Sequence, residues 1–155
     1  MGKVVDFLSW EDRFSVGIPI VDSQHRKLFG MANELYDACR LNEKFAKMQF
    51  RQTVQEAVAY VRYHFSTEEQ IMIRTSYPEY SVHKKAHEDF IIEVIKKVEE
   101  FETGKKLVPL HFVKFLKDWI MSHVALTDSK VGNYIVELQK TGKLGRIILT
   151  EKTET

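Results

Sequence analysis

Histidine and acidic side chains recur at intervals of four residues in two stretches of the sequence. Glu68 follows His64 by four residues, and His87 follows His83 at the same interval. Four residues of α-helix turn through about 400° and rise ~6 Å, so each pair would share one helix face, one turn apart. Imidazole and carboxylate groups placed in this way on facing helices are typical of metal ligands in helix bundles.

The helix faces that carry these pairs are otherwise apolar, and His25 and His123 lie on apolar faces of their own. Apolar faces pack into the core, where imidazole and carboxylate groups are costly unless they are paired or bound to a metal. Counting residues from the predicted turns brings the histidines to one level of the fold. With Asp128 added, the candidate metal ligands are His25, His64, Glu68, His83, His87, His123 and Asp128.

Asp128 is the candidate whose spacing does not fit a regular helix. It follows His123 by five residues, which places it about 140° away around an ideal α-helix. For both side chains to reach one site, the helix must carry a π-bulge or loosen between them, as helices often do at functional sites. The spacing therefore predicts an irregular turn between residues 123 and 128.

Five imidazoles and two carboxylates are more ligands than one metal ion needs. Two ions bridged by the carboxylates fit this number, with the histidines divided as three and two and with one ion keeping an open position. The mixture of imidazole and carboxylate suits iron, with manganese or zinc as alternatives. A small diatomic molecule or a peroxide would fit an open position beside a second metal.

The periodicity of the apolar residues predicts the helices that must position these side chains. Gly104 is expected to end the third helix, and Pro109 to open the fourth. Short connections make neighbouring helices antiparallel, so the predicted fold class is all-α, an up-down-up-down antiparallel four-helix bundle with an extended N-terminal arm. The predicted segments are an arm at 1–20, bundle helices at 22–41, 48–74, 81–103 and 110–126, and a polar tail at 142–155.

The composition is that of one globular domain. The chain has 155 residues, of which 44% are hydrophobic, enough to form one core spanning residues 1–155. A net charge of +1 gives no electrostatic basis for binding nucleic acid. The single cysteine, Cys39, allows no internal disulfide, and neither a signal peptide nor a membrane span is recognisable. We therefore expect a cytoplasmic protein, and the lack of a long apolar surface stripe favours a monomer.

The candidate ligands fall in motifs that follow one another in a fixed order. These motifs are Trp10…Phe14…Gly17…Asp22-Ser23-Gln24-His25, then His64-Phe65-Ser66-Thr67-Glu68, His83-Lys84-Lys85-Ala86-His87 and His123-Val124-Ala125-Leu126-Thr127-Asp128. The ordered set resembles the hemerythrin family, and within it the single-domain bacteriohemerythrins. The resemblance spans residues 10 to about 135, and no ligand position departs from the family pattern.

This resemblance implies a non-haem di-iron centre that binds O2 reversibly for oxygen carriage, storage or delivery. It implies that one iron is held by His83, His87 and His123. The other is held by His25 and His64 and keeps the open position. Glu68 and Asp128 then bridge the ions, together with a solvent-derived oxo or hydroxo group. The expected walls of the O2 pocket, each within four residues of a ligand, are Leu28, Phe65, Trp119, Ile120 and Val124.

Other interpretations of the same residues stay open. A di-iron centre also suits an enzyme that reduces peroxide or nitric oxide, or an O2 or redox sensor that acts through a partner. An enzyme would need a proton donor beside the open position, and the expected pocket residues are apolar. Trp119 serves equally well as a core residue, and Glu69 either bonds an imidazole N–H or lies on a solvated face. His111 lies too far along its helix to join the site.

Overall fold

The computed structural model describes residues 6–40, 43–103 and 109–142, and within these ranges every regular element is helical. A 3₁₀ turn at Asp12–Phe14 precedes the helices. The helices are α1 (Pro19–Ala38), α2 (Glu43–Arg74), α3 (Tyr80–Glu102), α4 (Pro109–Ser122), a π-helical segment π1 (His123–Asp128) and α5 (Ser129–Lys140). The last three form one continuous helix, because Ser122 and Ser129 keep right-handed helical dihedral angles where the segments join. The predicted all-α, four-helix bundle is therefore confirmed.

The first three helices lie within five residues of their predicted bounds at either end. α1 begins at Pro19 and not at residue 22, because a proline fits the first position of a helix. It ends at Ala38, before residue 41, where the N–H of Arg40 turns back to the carbonyl of Asp37. α2 begins at Glu43, five residues before the predicted 48, in a stretch of good helix formers. α3 shifts by one residue at each end, within ordinary assignment differences.

The fourth helix is much longer than predicted. Its predicted range was 110–126, whereas helix continues through π1 and α5 to Lys140. The extension is stabilised by burial of Val131 and Ile135, which are one turn apart and pack with Ile71 and Met72 of α2. The polar tail predicted at 142–155 lies, from residue 143 onward, outside the described residues.

The N-terminal arm packs along the bundle and is tied to it by hydrogen bonds. The Asn33 side chain accepts a bond from the N–H of Leu8 at 2.8 Å and donates one to its carbonyl at 2.9 Å. Asp22, which is buried, accepts bonds from the Ser15 hydroxyl at 2.6 Å and the Val16 N–H at 2.8 Å. Asp22 therefore anchors the arm inside the first turn of α1. The described arm ends at residue 18, two residues before the predicted limit.

The core consists of apolar clusters at different levels of the bundle. The first apolar cluster comprises Leu35, Phe50, Val54, Phe65, Phe90, Val94, Phe112, Val113 and Leu116. The second apolar cluster comprises Val16, Ile18, Val21, Ile71, Met72, Tyr77, Val131 and Ile135. The arm cluster joins Leu8 and Phe14 of the arm to Phe29, Ala32, Ile120 and Val124. Among the described residues, no helix is long and apolar enough to cross a membrane.

Candidate metal centre

The seven predicted ligands lie together in the core. Each helix of the bundle contributes: α1 one, α2 two, α3 two, and π1 two. None is more than 5% exposed, and the set is His25, His64, Glu68, His83, His87, His123 and Asp128. His111, by contrast, is exposed on α4. The helical spacing in the sequence thus selected the side chains that the fold brings into one buried layer.

The ligand atoms form two groups that share the carboxylates. One group contains three imidazoles, those of His83, His87 and His123, together with Glu68 and Asp128. The other contains the imidazoles of His25 and His64 with the same two carboxylates. Within each group, the atoms lie within 4.8 Å of one another. This is the division into three and two that the number of ligands predicted. We call the groups the three-histidine half and the two-histidine half.

The carboxylates lie between the halves. Asp128 places one oxygen 3.0 Å from His25 Nε2 and the other 3.1 Å from His83 Nε2. Glu68 places one oxygen 3.2 Å from His64 Nε2 and the other 3.2 Å from His87 Nε2. Each carboxylate therefore faces both halves with separate oxygens, as a bridging ligand must.

These close polar atoms are not hydrogen-bonded in the usual way. Both nitrogens of His25 and all four oxygens of Glu68 and Asp128 are buried without a hydrogen-bond partner among the described residues. The Nε2 atom of His87 lies 3.0 Å from Nε2 of His83 and 3.1 Å from Nε2 of His123. Buried polar groups in native proteins nearly always have a bonding partner. A metal ion would supply that partner for the three converging ring nitrogens and the carboxylate oxygens. The donor set fits a pair of metal ions.

Charged neighbours in the layer shift the pKa values of several candidate ligands. Burial alone would lower the pKa of His25, but the carboxylates of Asp128 and Glu68, which lie 3.0 and 3.3 Å from its Nε2 atom, raise it to about 9. Burial would also lower the pKa of His83, but the same two carboxylates raise it to about 9. Burial would raise the pKa values of both carboxyl groups, yet the surrounding imidazoles hold them below the usual range.

The π-helical segment brings His123 and Asp128 to the same site. It begins at His123 and ends at Asp128, as the five-residue spacing predicted. A π-turn accommodates an extra residue within one turn of helix, which returns Asp128 to the face that carries His123. Both side chains are buried, and Asp128 Oδ1 lies 3.0 Å from His123 Nε2.

Two imidazoles have side-chain partners on Nδ1. Glu69 places Oε1 3.1 Å from Nδ1 of His87, so the bonded alternative of the two predicted for Glu69 is correct. Gln24 places Oε1 2.8 Å from Nδ1 of His64. Gln24 was named only within the motif that ends at His25, and no role was predicted for it.

The five predicted pocket residues have different neighbours. Phe65 lies parallel to the His87 ring at 3.7 Å, and Trp119, which is half-buried, lies parallel to the His123 ring at 4.3 Å. Leu28 and Ile120, each three residues from a candidate ligand in the sequence, line an apolar cavity of about 30 Å³. Val124 packs in the arm cluster. All residues lining the cavity are apolar.

Comparisons with known proteins agree with this site. The family model described as "Hemerythrin HHE cation binding domain" matches residues 16–135. The chain is 29% identical over 149 residues to a bacteriohemerythrin of Stenotrophomonas maltophilia, covering 91% of this chain and 95% of the relative. It is 32% identical over 122 residues to a bacteriohemerythrin of Pseudomonas aeruginosa, covering 79% and 77% of the two chains.

A further relative and a solved structure are also similar to this chain. The chain is 31% identical over 121 residues to the myohemerythrin of Theromyzon tessulatum, covering 78% of this chain and 88% of the relative. The crystal structure of a wild-type hemerythrin superposes with a TM-score of 0.77 at 23% identity, covering 83% of this chain and 98% of that one. The family model matches residues 16–135, a range that contains all seven predicted ligands, and the protein belongs to the hemerythrin family.

Proposed function

We propose that this protein binds O2 reversibly at a non-haem di-iron centre, for oxygen carriage, storage or delivery. The observation that carries the proposal is the buried layer in which two carboxylates are shared between a three-histidine and a two-histidine half. The names of the relatives, bacteriohemerythrin and myohemerythrin, support the same function. That the protein is a monomer of the cytoplasm stays a prediction.

The residues of the layer would hold two iron ions, which supply the electrons and the open position for reversible O2 binding. His83, His87 and His123 would hold one ion, and His25 and His64 would hold the other. Glu68 and Asp128 would be shared between the two ions and would balance their charge. With one imidazole fewer, the two-histidine half would have room for a small ligand.

The apolar surroundings favour binding over turnover. Leu28 and Ile120, which flank His25 and His123 at a distance of three residues, line a cavity whose walls are apolar throughout. Phe65 and Trp119 cover the rings of His87 and His123. A wall of this kind admits a small apolar gas and excludes water, and it offers no proton donor for the reduction of peroxide or nitric oxide. We propose these four residues and Val124 as the walls of the O2 pocket.

The test is a visible absorption spectrum of protein whose iron content has been measured. The iron-loaded protein is reduced without air, exposed to O2 and then returned to argon. We expect about two irons per chain and an absorption band that appears with O2 and disappears under argon. Direct conversion to a stable ferric form, without a reversible band, would overturn the carrier function and lead to turnover assays with peroxide and nitric oxide.

Two histidine variants make the test specific to the layer. His64→Gln removes one imidazole from the two-histidine half, and we expect it to lose the reversible band. His111→Gln makes the same chemical change at an exposed histidine, and we expect it to keep the band. Circular dichroism checks that both variants remain helical.

A further inference from the structure

The two halves of the centre differ in the charge of the group that bonds to their imidazoles from outside. In the three-histidine half, Nδ1 of His87 lies 3.1 Å from a carboxylate oxygen of Glu69. In the two-histidine half, Nδ1 of His64 lies 2.8 Å from the amide oxygen of Gln24. Each half therefore has one imidazole with a side-chain acceptor, and the acceptor is charged in one half and neutral in the other.

Glu69 and Gln24 each present an acceptor oxygen, so the Nδ1–H groups of His87 and His64 must donate to them. The Gln24 amide nitrogen donates to the Thr67 hydroxyl at 3.1 Å, which leaves the amide oxygen turned toward His64. Gln24 is 4% exposed, so no rearrangement into solvent competes with this orientation. A carboxylate such as Glu69 has only acceptor oxygens. Both rings thus carry their proton on Nδ1 and direct the lone pair of Nε2 to the metal layer.

Charge makes the two bonds unequal in effect. A carboxylate acceptor polarises the N–H of an imidazole more strongly than an amide does, which makes Nε2 a stronger donor to the metal. Among the described residues, no hydrogen bond to Nδ1 of His25 or His83 offsets this difference in acceptor charge between the two halves. Nδ1 of His25 and Nδ1 of His83 are both buried without a hydrogen-bond partner in the described part of the chain.

We propose that Glu69 and Gln24 are positioning residues that make the two metal positions differ in affinity and in preference for the ferric state. Glu69 strengthens the hold of the three-histidine half and favours the ferric state there. Gln24 orients His64 without adding charge, so the two-histidine half holds its metal less tightly and keeps its open position for the ligand. This inference rests on the proposed function in requiring that both halves bind a metal ion.

The first test follows the release of cobalt(II) from protein loaded with two cobalt ions and mixed with a chelator. We expect two phases, and His64→Gln identifies the phase of the two-histidine half by removing it. Glu69→Gln keeps an acceptor oxygen for His87 and removes only the charge. It should speed the slow phase by about 10- to 100-fold and leave the fast phase unchanged.

The reverse exchange tests the other half. Gln24→Glu adds a charged acceptor to His64, and we expect it to slow the fast phase. In the double variant, Gln24→Glu with Glu69→Gln, the two phases should approach each other or exchange order. Unchanged release in Glu69→Gln, or equal acceleration of both phases, would overturn the inference, because the latter indicates general loosening of the bundle.

The second test measures the reduction potential of the iron-loaded protein. Glu69→Gln should raise the midpoint potential, and a tenfold loss of preference for the ferric ion corresponds to about 59 mV for one electron. The matched control is Glu88→Gln, which removes the same charge from the residue next to His87. Glu88 is exposed and pairs with Lys84 at 3.8 Å, so we expect no shift.

The outcomes separate this inference from the proposed function. Binding of fewer than two metal ions by the wild-type protein would contradict the proposed function itself. Two bound ions and reversible O2 binding, with equal potentials in Glu69→Gln and Glu88→Gln, would overturn only the role of Glu69.

Discussion

Single residues in the ligand layer balance one another's charge when no metal is bound. The pKa values of His25 and His83 are raised to about 9, because the pull of Asp128 and Glu68 outweighs the effect of burial. The imidazoles in turn hold the pKa values of the two carboxyl groups low. At neutral pH, two imidazolium ions then face two carboxylates. Metal ions must displace these protons, so metal binding and proton release are coupled.

This charge balance predicts the pH dependence of the metal-free protein. The folded-state pKa values of His25 and His83, about 9, lie above the ordinary 6.5. Their contribution to stability is fully present below pH 6.5 and is lost as the pH rises through 9. Urea unfolding of the metal-free protein should therefore give a lower free energy of unfolding at pH 9 than at pH 6.5. Zinc-loaded protein is the control and should lose less, since metal replaces those protons. Equal values for the metal-free protein would contradict the prediction.

Ligand residues were easier to predict from sequence than their partners. A ligand must lie on a buried helix face, and burial of a histidine such as His64 on an apolar stripe is visible as a break in the hydrophobic pattern. The bond between Gln24 and His64 depends on how two helices rotate against each other, which periodicity does not specify. For the same reason, the sequence left two alternatives open for Glu69, a bond to an imidazole N–H or a place on a solvated helix face.

The elements that position the layer depend on close contact between the arm and the fourth helix. A Cβ atom added at Gly132 of α5 would lie 2.1 Å from the carbonyl oxygen of Val16. The arm backbone therefore packs directly on the helix, one turn beyond Asp128. The predicted helix ended at residue 126, inside the π-helical segment, whereas helix continues to Lys140. The five-residue offset of Asp128 correctly predicted π1, but regular helix resumes after it.

Gly132→Ala tests this contact. The added methyl group meets backbone, which cannot rotate away, so we expect a loss of about 1–3 kcal/mol in the free energy of unfolding. Gly30→Ala is the matched control in α1, where an added Cβ meets nothing within 4 Å. That variant should gain about 0.5–1 kcal/mol from helix propensity. Equal effects of the two substitutions in urea unfolding would show that the arm does not pack on Gly132.

Across the whole molecule, the ligand layer lies between two apolar clusters. Along α2, Phe50 and Val54 of the first apolar cluster precede His64, and Met72 of the second apolar cluster follows Glu68. The fourth helix repeats the order, with α4 in the first cluster and α5 in the second. Apolar packing thus joins all four helices on one side of the layer, and α1, α2 and the fourth helix on the other. The fold class was predictable because this repeated pattern needs no knowledge of the metal.

This arrangement predicts that metal removal weakens the protein locally and does not unfold it. The apolar clusters remain, while the layer keeps buried polar groups without partners. Circular dichroism should show an almost unchanged helix content. Excess metal should stabilise the protein by mass action, by ~4 kcal/mol at a free concentration of 1,000 times Kd.

Hydrogen exchange gives the spatial test of the same prediction. After metal removal, amides at 64–70 and 123–128 should exchange faster, because their side chains lose the bonds that hold the layer together. Amides at 50–57 in the first apolar cluster should exchange at nearly the same rate, since their packing does not involve the ligands. If protection is instead lost evenly along the chain, the metal is required for the fold as a whole, and the two apolar clusters do not suffice to hold the bundle.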